Sequence, residues 1–110
     1  MVSRAIAERF AVHLVRLDPT IGAEMRKIRP CVVISPEDMH EILLTVIIAP
    51  MTGTQTAFPT RVPTMFAGRR GEIALDQLRA VDHSRLGKRL GRLDAATTAL
   101  LKQALADLFS

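Results

Sequence analysis

Two short apolar runs, rich in β-branched residues and ended by proline, constrain this chain most. Cys31 to Ser35 lies between Pro30 and Pro36, and Leu43 to Ala49 stops at Pro50. Runs this short and this rich in Val and Ile suit inner strands of a sheet covered on both faces, not helices. Phe10 to Leu17 reads as a further strand, with Phe10, Val12 and Leu14 on one face and Ala11, His13, Val15 and Leu17 on the other. Asp18-Pro19 ends it, and Thr20 to Ile28, carrying Gly22, Glu24, Arg26 and Lys27, reads as a polar loop.

The remaining segments extend the same pattern. Glu37 to Glu41 is charged and predicts a turn or a single helical turn, and Thr52 to Phe58 a loop. Arg61 to Phe66 is extended but holds Pro63, whose missing N–H confines it to a sheet edge or a bulge. Gly68 to Gly71 is a turn leading into a strand over Glu72 to Val81, in which Gln77 and Arg79 stand out as polar groups on a half-apolar face. Asp94 is a good N-cap for a last helix, where Thr97, Leu100, Leu101, Ala104, Leu105 and Leu108 repeat on one apolar face. A chain of 110 residues holds one domain. The expected fold is mainly β, a small antiparallel barrel of five to seven strands with a C-terminal helix.

Fifteen Lys and Arg against eleven Asp and Glu give a net charge of +4, which favours an anionic partner, nucleic acid or an acidic protein segment. Four Phe with no Trp or Tyr leave little for broad aromatic stacking on bases. The single Cys31 excludes an internal disulfide and a multi-cysteine zinc site, reads as structural and fits a reducing cytoplasm. The longest apolar run, Ile42 to Met51, is broken by Thr45 and Pro50, so neither a membrane span nor a signal peptide is expected. No His, Cys and carboxylate pattern has metal-ligand spacing, and no Gly-rich phosphate loop appears. His13, His40 and His83 lie in a strand, a charged turn and a segment after Asp82, with nothing to make them converge on a histidine-based site.

The blocks Leu17-Asp18-Pro19-Thr20, Gly22, Glu24 and Arg29-Pro30-Cys31-Val32-Val33-Ile34-Ser35-Pro36 closely resemble the N-terminal signature of the MazF/PemK toxin family. The likeness continues in order through Ala49-Pro50-Met51-Thr52, Phe58-Pro59-Thr60-Arg61-Val62, Gly71, Leu75-Asp76-Gln77-Leu78-Arg79 and Leu86 to Leu93. It implies a curled SH3-like barrel of the type shared with CcdB toxins, a two-fold homodimer, and cytoplasmic, metal-independent cleavage of single-stranded RNA without a cofactor. It also implies a cognate acidic antitoxin whose tail wraps the basic groove and folds as it binds.

The same resemblance maps catalytic roles onto Arg29 and Thr52. The Arg29 guanidinium can grip a phosphate with two parallel bonds, and a permanently charged group suits electrostatic stabilisation and proton donation better than a general-base role. The Thr52 hydroxyl would donate to a phosphate oxygen. Glu24 matches an acidic position and is a candidate to accept a proton or orient Arg29. Gln77 is a candidate base reader or a structural amide. Arg61, Arg69 and Arg70, with Phe58 beside them, are candidates to hold RNA; clustered arginines in turns also serve simply as a solvated edge. The last helix would dimerise or close the barrel.

The departure lies in the first strand, where the family has Arg-Gly and an acidic residue and this chain has Arg9-Phe10-Ala11. The missing carboxylate raises an attenuated member of the family as an alternative. A CcdB-like gyrase-binding toxin is the other, against which stands the ending Leu108-Phe109-Ser110 in place of Trp-Gly-Ile.

Overall fold

The computed structural model describes residues 6–18, 22 and 27–110, so Glu24 and most of the first loop lie outside the described residues. In chain order the elements are β1 (Ala11–Arg16), β2 (Ile28–Val33), α1 (Glu37–Ile42), β3 (Thr45–Thr52), β4 (Arg61–Phe66), β5 (Arg69–Ala74), β6 (Arg79–Asp82), β7 (Leu86–Arg92) and α2 (Ala95–Leu108). Short 3₁₀ turns, Leu75–Gln77 and His83–Arg85, follow β5 and β6. All pairings are antiparallel, in the order β4-β5-β3-β2-β1-β7, with β6 added along β3. This is the mainly β fold with a C-terminal helix that the sequence pattern predicts, in the curled half-barrel form that the family resemblance implies.

Alternation explains why the inner strands are apolar on both sides. Val32, Ala49, Met51 and Ile73 join Phe10, Val12 and Leu101 in one core cluster, while Cys31, Val33, Val46, Ile48, Val15 and Leu17 form a second on the other face. α2 closes the first cluster through the fully buried Leu101, with Ala104 and Leu105 packed beside it, while Leu100 and Leu108 stay exposed. Asp94 caps this helix as expected, accepting the Thr97 N–H at 2.7 Å. Pro63 lies on β4, at the sheet edge.

Several boundaries differ from the sequence expectation: β2 runs Ile28–Val33, not Cys31 to Ser35, and β5 starts at Arg69, inside the expected Gly68 to Gly71 turn. Glu72 to Val81 is not a single strand: β5 and β6 lie along the same edge of β3, interrupted by the turn Leu75–Gln77. Thr45 faces Asp82 and Thr52 faces Glu72, so seven steps along β3 meet ten along its partner. The three surplus residues form the turn, which lets β5 swing away to pair with β4. β3 in turn starts at Thr45 and runs through Pro50 to Thr52, whereas the sequence suggested a run from Leu43 stopped at Pro50. Pro50 faces Cys31 on β2, and its other side falls between the last β6 pair at Ile48 and the first β5 pair at Met51, where the ladder has no use for an N–H. Before Thr45, Leu43 N–H closes α1 on the Met39 carbonyl, and Ile42, Leu43 and Leu44 are exposed.

Two devices set the loops. Ala67 and Gly68 at the tip of the β4–β5 hairpin both have positive φ, 51° and 77°, the shape of a two-residue turn that favours Asn-Gly. The loop before β4 is tied to Glu72, which is 4% exposed and accepts the Thr56 N–H (3.0 Å), the Thr56 hydroxyl (2.9 Å) and the Ala57 N–H (3.0 Å). Thr56 backbone bonding leads in holding this carboxylate below its ordinary range, with Ala57 and the Arg61 charge adding to it.

Replacing Ala67 by Asn should raise stability by about 0.5–1 kcal/mol, since Asn tolerates the left-handed region better than Ala; an unchanged or lower thermal midpoint would count against this turn geometry. Because the folded carboxylate of Glu72 titrates below its ordinary value of 4.5, its stabilisation is complete above that pH and is lost as pH falls through the depressed value. Glu72→Gln should therefore be less stable at neutral pH and lose less stability than the parent between about pH 4.5 and 2, checked by urea midpoints across that range.

Candidate active site

β2 and β3 carry the centre of the site. Their pairing runs Val33↔Ile48, Val32↔Ala49 and Cys31↔Pro50, with Arg29 two residues before Cys31 on β2 and Thr52 two residues after Pro50 on β3. Both therefore lie at the same end of the β2–β3 pair, beyond its last paired residues. Arg29 is half-buried, and its Nε is buried without a hydrogen-bond partner. Thr52 is half-exposed, and its Oγ1 accepts the Thr54 N–H at 3.2 Å, which leaves its own proton to donate outward.

Cys31, two residues along β2 from Arg29, is fully buried. Burial pushes its thiol up to about 12, against the opposing pull of the Arg29 and Arg79 charges. It is structural, as the sequence suggested, and the same two cations mark Arg79 as a neighbour of the site. Arg79 Nη1 donates to the Leu17 carbonyl at 3.0 Å. Arg85 Nη1 donates to the Arg16 carbonyl at 3.0 Å and also to that of Asp18. With the Leu17 N–H on the Lys27 carbonyl at 2.9 Å, these bonds fix both ends of the loop that contains Glu24. Arg79 drew notice in the sequence as a polar residue on an apolar face; Arg85 gave no such signal, because its partners are main-chain carbonyls.

Other candidates fall into two cavities. One, about 590 Å³, is lined by Gln55, Phe58, Arg61, Arg70, Glu72 and Thr97 among others. Here Arg61 is largely occupied: its Nε and Nη2 reach Asp76 at 2.7 and 3.3 Å, Glu72 is 3.7 Å away, and only 11% of its side chain is exposed. Its guanidinium lies 5.7 Å from the centre of the Phe58 ring. The hydrogen bond from Arg61 leads in lowering the Asp76 carboxyl. The second cavity, about 260 Å³, includes Pro30, Thr52, Thr64, Arg69 and Arg70. Gln77 is half-buried in the turn between β5 and β6 and already engaged there.

The histidines do not converge on the site. His13 Nδ1 donates to the Gly87 carbonyl at 3.1 Å. His40, which the sequence placed in a charged turn, is wholly buried: Nδ1 donates to the Ala7 carbonyl at 2.8 Å and Nε2 accepts from the Ser35 hydroxyl at 2.6 Å. Among the described residues no group of three or more His, Cys, Asp or Glu side chains is placed to hold a metal ion, and no helix is long and apolar enough to cross a membrane. Ala11, where the family has an acidic residue, is fully buried and faces Arg92, while Glu8 supplies the carboxylate that Arg92 and Arg89 share.

Comparison with known proteins gives a consistent answer. The family model described as PemK-like, MazF-like toxin of type II toxin–antitoxin system matches residues 8–109. The endoribonuclease PemK of Escherichia coli is 32% identical over 92 residues, covering 78% of this chain and 69% of that protein. MazF from Deinococcus radiodurans superposes with a TM-score of 0.83 at 22% identity, over 96% of this chain and 98% of that one. A mycobacterial endoribonuclease in complex with its cognate antitoxin superposes at 0.77, also at 22% identity, over 92% of each chain. With the family model spanning nearly the whole chain and a relative this similar, the protein belongs to the PemK-like, MazF-like toxins of type II toxin–antitoxin systems.

Proposed function

We propose that this protein is a cytoplasmic endoribonuclease that cuts single-stranded RNA at short sequences, without a metal ion, and so stops translation and growth. The observation that carries the reading is that Arg29 and Thr52 both lie at one end of the β2–β3 pair, and that Arg29 has a buried guanidinium nitrogen lacking a partner. Cleavage by the RNA's own 2′-hydroxyl needs a proton acceptor, stabilisation of the charged phosphorane-like transition state and a proton for the leaving 5′-oxygen. Arg29 supplies the charge and the proton, and Thr52 donates a hydrogen bond to a non-bridging oxygen. Glu24 accepts the 2′-proton or orients Arg29. The products are a 2′,3′-cyclic phosphate and a 5′-hydroxyl, with no covalent enzyme intermediate.

Arg69 and Arg70 hold flanking phosphates, and Arg61 with Phe58 forms the far wall of the groove; Gln77, already engaged in its turn, serves as a structural amide. Glu8 pairs with Arg92, the β7 residue that faces Ala11. The solved relative bound to its cognate antitoxin supports the same kind of partner here, an acidic segment occupying the basic groove. The apolar residues left exposed on α2, Leu100 and Leu108, are candidates for contact within a homodimer.

Purified protein incubated with a long single-stranded RNA and excess chelator should yield fragments with 5′-hydroxyl ends. Arg29→Ala should lower the rate about 10²–10³-fold, as for loss of a transition-state donor, and Thr52→Val about 10-fold or more. RNA left intact, cutting that stops on chelation, or full activity in Arg29→Ala would each overturn the proposal. Because Cys31 is buried with its thiol raised to about 12, maleimide treatment at pH 8 should leave the activity unchanged; inactivation by the reagent would show that the site opens far more than this fold implies.

A further inference from the structure

β1 outruns its neighbour on one edge. Its last pair with β7 is Val15↔Leu86. Beyond that pair alternate carbonyls of the chain still point to the same edge, and Arg85, the residue just before β7, takes those of Arg16, at 3.0 Å, and Asp18 through Nη1. On the opposite edge Leu17 donates its N–H to the Lys27 carbonyl at 2.9 Å, and Arg79 Nη1 takes the Leu17 carbonyl at 3.0 Å. Three successive carbonyls are thus gripped by two guanidiniums, one from each side. The gripped stretch closes the hairpin that carries Arg29. Val15↔Arg29 and Arg16↔Ile28 are the last pairs of the β1–β2 ladder. Lys27, just beyond them, has φ 67°, a left-handed conformation that a non-glycine residue keeps only where its surroundings over-determine it. Arg85 is itself anchored by the turn His83–Arg85: Asp82 Oδ2 accepts the Ser84 N–H at 2.8 Å, and the His83 N–H donates to the Leu44 carbonyl at 2.7 Å.

We propose that Arg85 is a positioning residue for RNA cleavage: its grip on the Arg16 and Asp18 carbonyls holds the strained end of the β1–β2 hairpin in register, and so fixes where the Arg29 guanidinium stands. The inference rests on the endoribonuclease reading above. Arg29 is two residues from Lys27, so fraying of the hairpin end reaches it at once. A shift of about 1 Å in a group that acts on the transition state costs up to roughly 10²-fold in rate. Arg79 shares the grip, but its charge also acts on the Cys31 thiol beside Arg29, so its loss would change the field at the site as well as the backbone. Arg85 separates the two effects. A direct phosphate ligand would behave differently, since its loss weakens RNA binding and flattens the salt dependence.

The test compares wild type, Arg85→Met, Arg29→Ala and the double variant in single-turnover cleavage of one single-stranded RNA by excess enzyme. Half-saturation at two salt concentrations, melting temperature and hydrogen exchange at the Leu17 amide are recorded alongside. Arg85→Met keeps the length of the stem and loses both bonds; its Leu17 amide should exchange about tenfold faster. At saturating enzyme it should cut about 10- to 10²-fold more slowly, with half-saturation within about twofold of wild type. The double variant should be within about threefold of Arg29→Ala, because the grip acts through that side chain. Arg85→Lys, which keeps a cation with donors, should fall between wild type and Arg85→Met, and carries the same comparison should Arg85→Met fail to fold. If the Arg85 variants cut at the wild-type rate, if they raise half-saturation and flatten its salt dependence instead, or if their loss multiplies with that of Arg29→Ala, the inference falls while the nuclease reading stands. RNA left uncut by wild type, or full activity in Arg29→Ala, overturns both.

Discussion

Strand β3 is contested along its outer edge, and much of the molecule follows from how that contest is resolved. Its first half is claimed by β6 and its second by β5, with the turn Leu75–Gln77 absorbing the register difference. The break lets the β4–β5 hairpin fold away from the rest of the sheet, opening the cavities on either side of Thr64. It also makes room for Pro50 in what would otherwise be a fully paired strand. On the inner edge β2 pairs with β3 from Val33↔Ile48 to Cys31↔Pro50, and Arg29 and Thr52 lie beyond that end of the ladder.

The basic charge is divided between two tasks. Arg61, Arg79, Arg85 and Arg92 bind carboxylates or main-chain carbonyls of their own chain, fixing the β3–β4 loop, the ends of the first loop and the N-terminal segment. Arg69 and Arg70 have no such partner among the described residues, and Arg29 has a buried Nε without one. A net charge of +4 thus understates the contrast between a largely self-satisfied shell and a few cations left for an anion near Thr52.

Phe10 shows how a departure from the family pattern is accommodated. The position where the family has glycine has φ 67° here, a conformation costly for an aromatic residue. The ring is nonetheless 5% exposed in the core, with Arg9 and Lys102 at 4.7 and 5.5 Å from its centroid. The Phe10 N–H bonds the Val33 carbonyl at 2.7 Å and its own carbonyl accepts the Leu93 N–H at 3.1 Å. Burial of a large apolar ring, about 1.5–3 kcal/mol, is of the size needed to offset that backbone strain.

Local chemistry was enough to read the β-rich class, the buried inner strands, the edge position of Pro63, the Asp94 cap and the structural nature of Cys31. Each of these depends on side-chain period, proline stereochemistry or a short-range hydrogen bond, which the chain order displays directly. Motif likeness pointed to Arg29 and Thr52, but that both fall at one end of the β2–β3 pair is a matter of strand register, and register is a relation between segments distant in sequence. The same holds for the break between β5 and β6, for the buried His40, and for Arg61 being bound up with Asp76 and Glu72. Whether an arginine stands open or is consumed by its own fold depends on which carbonyls and carboxylates the curled sheet brings within reach, and no reading along the chain contains those distances.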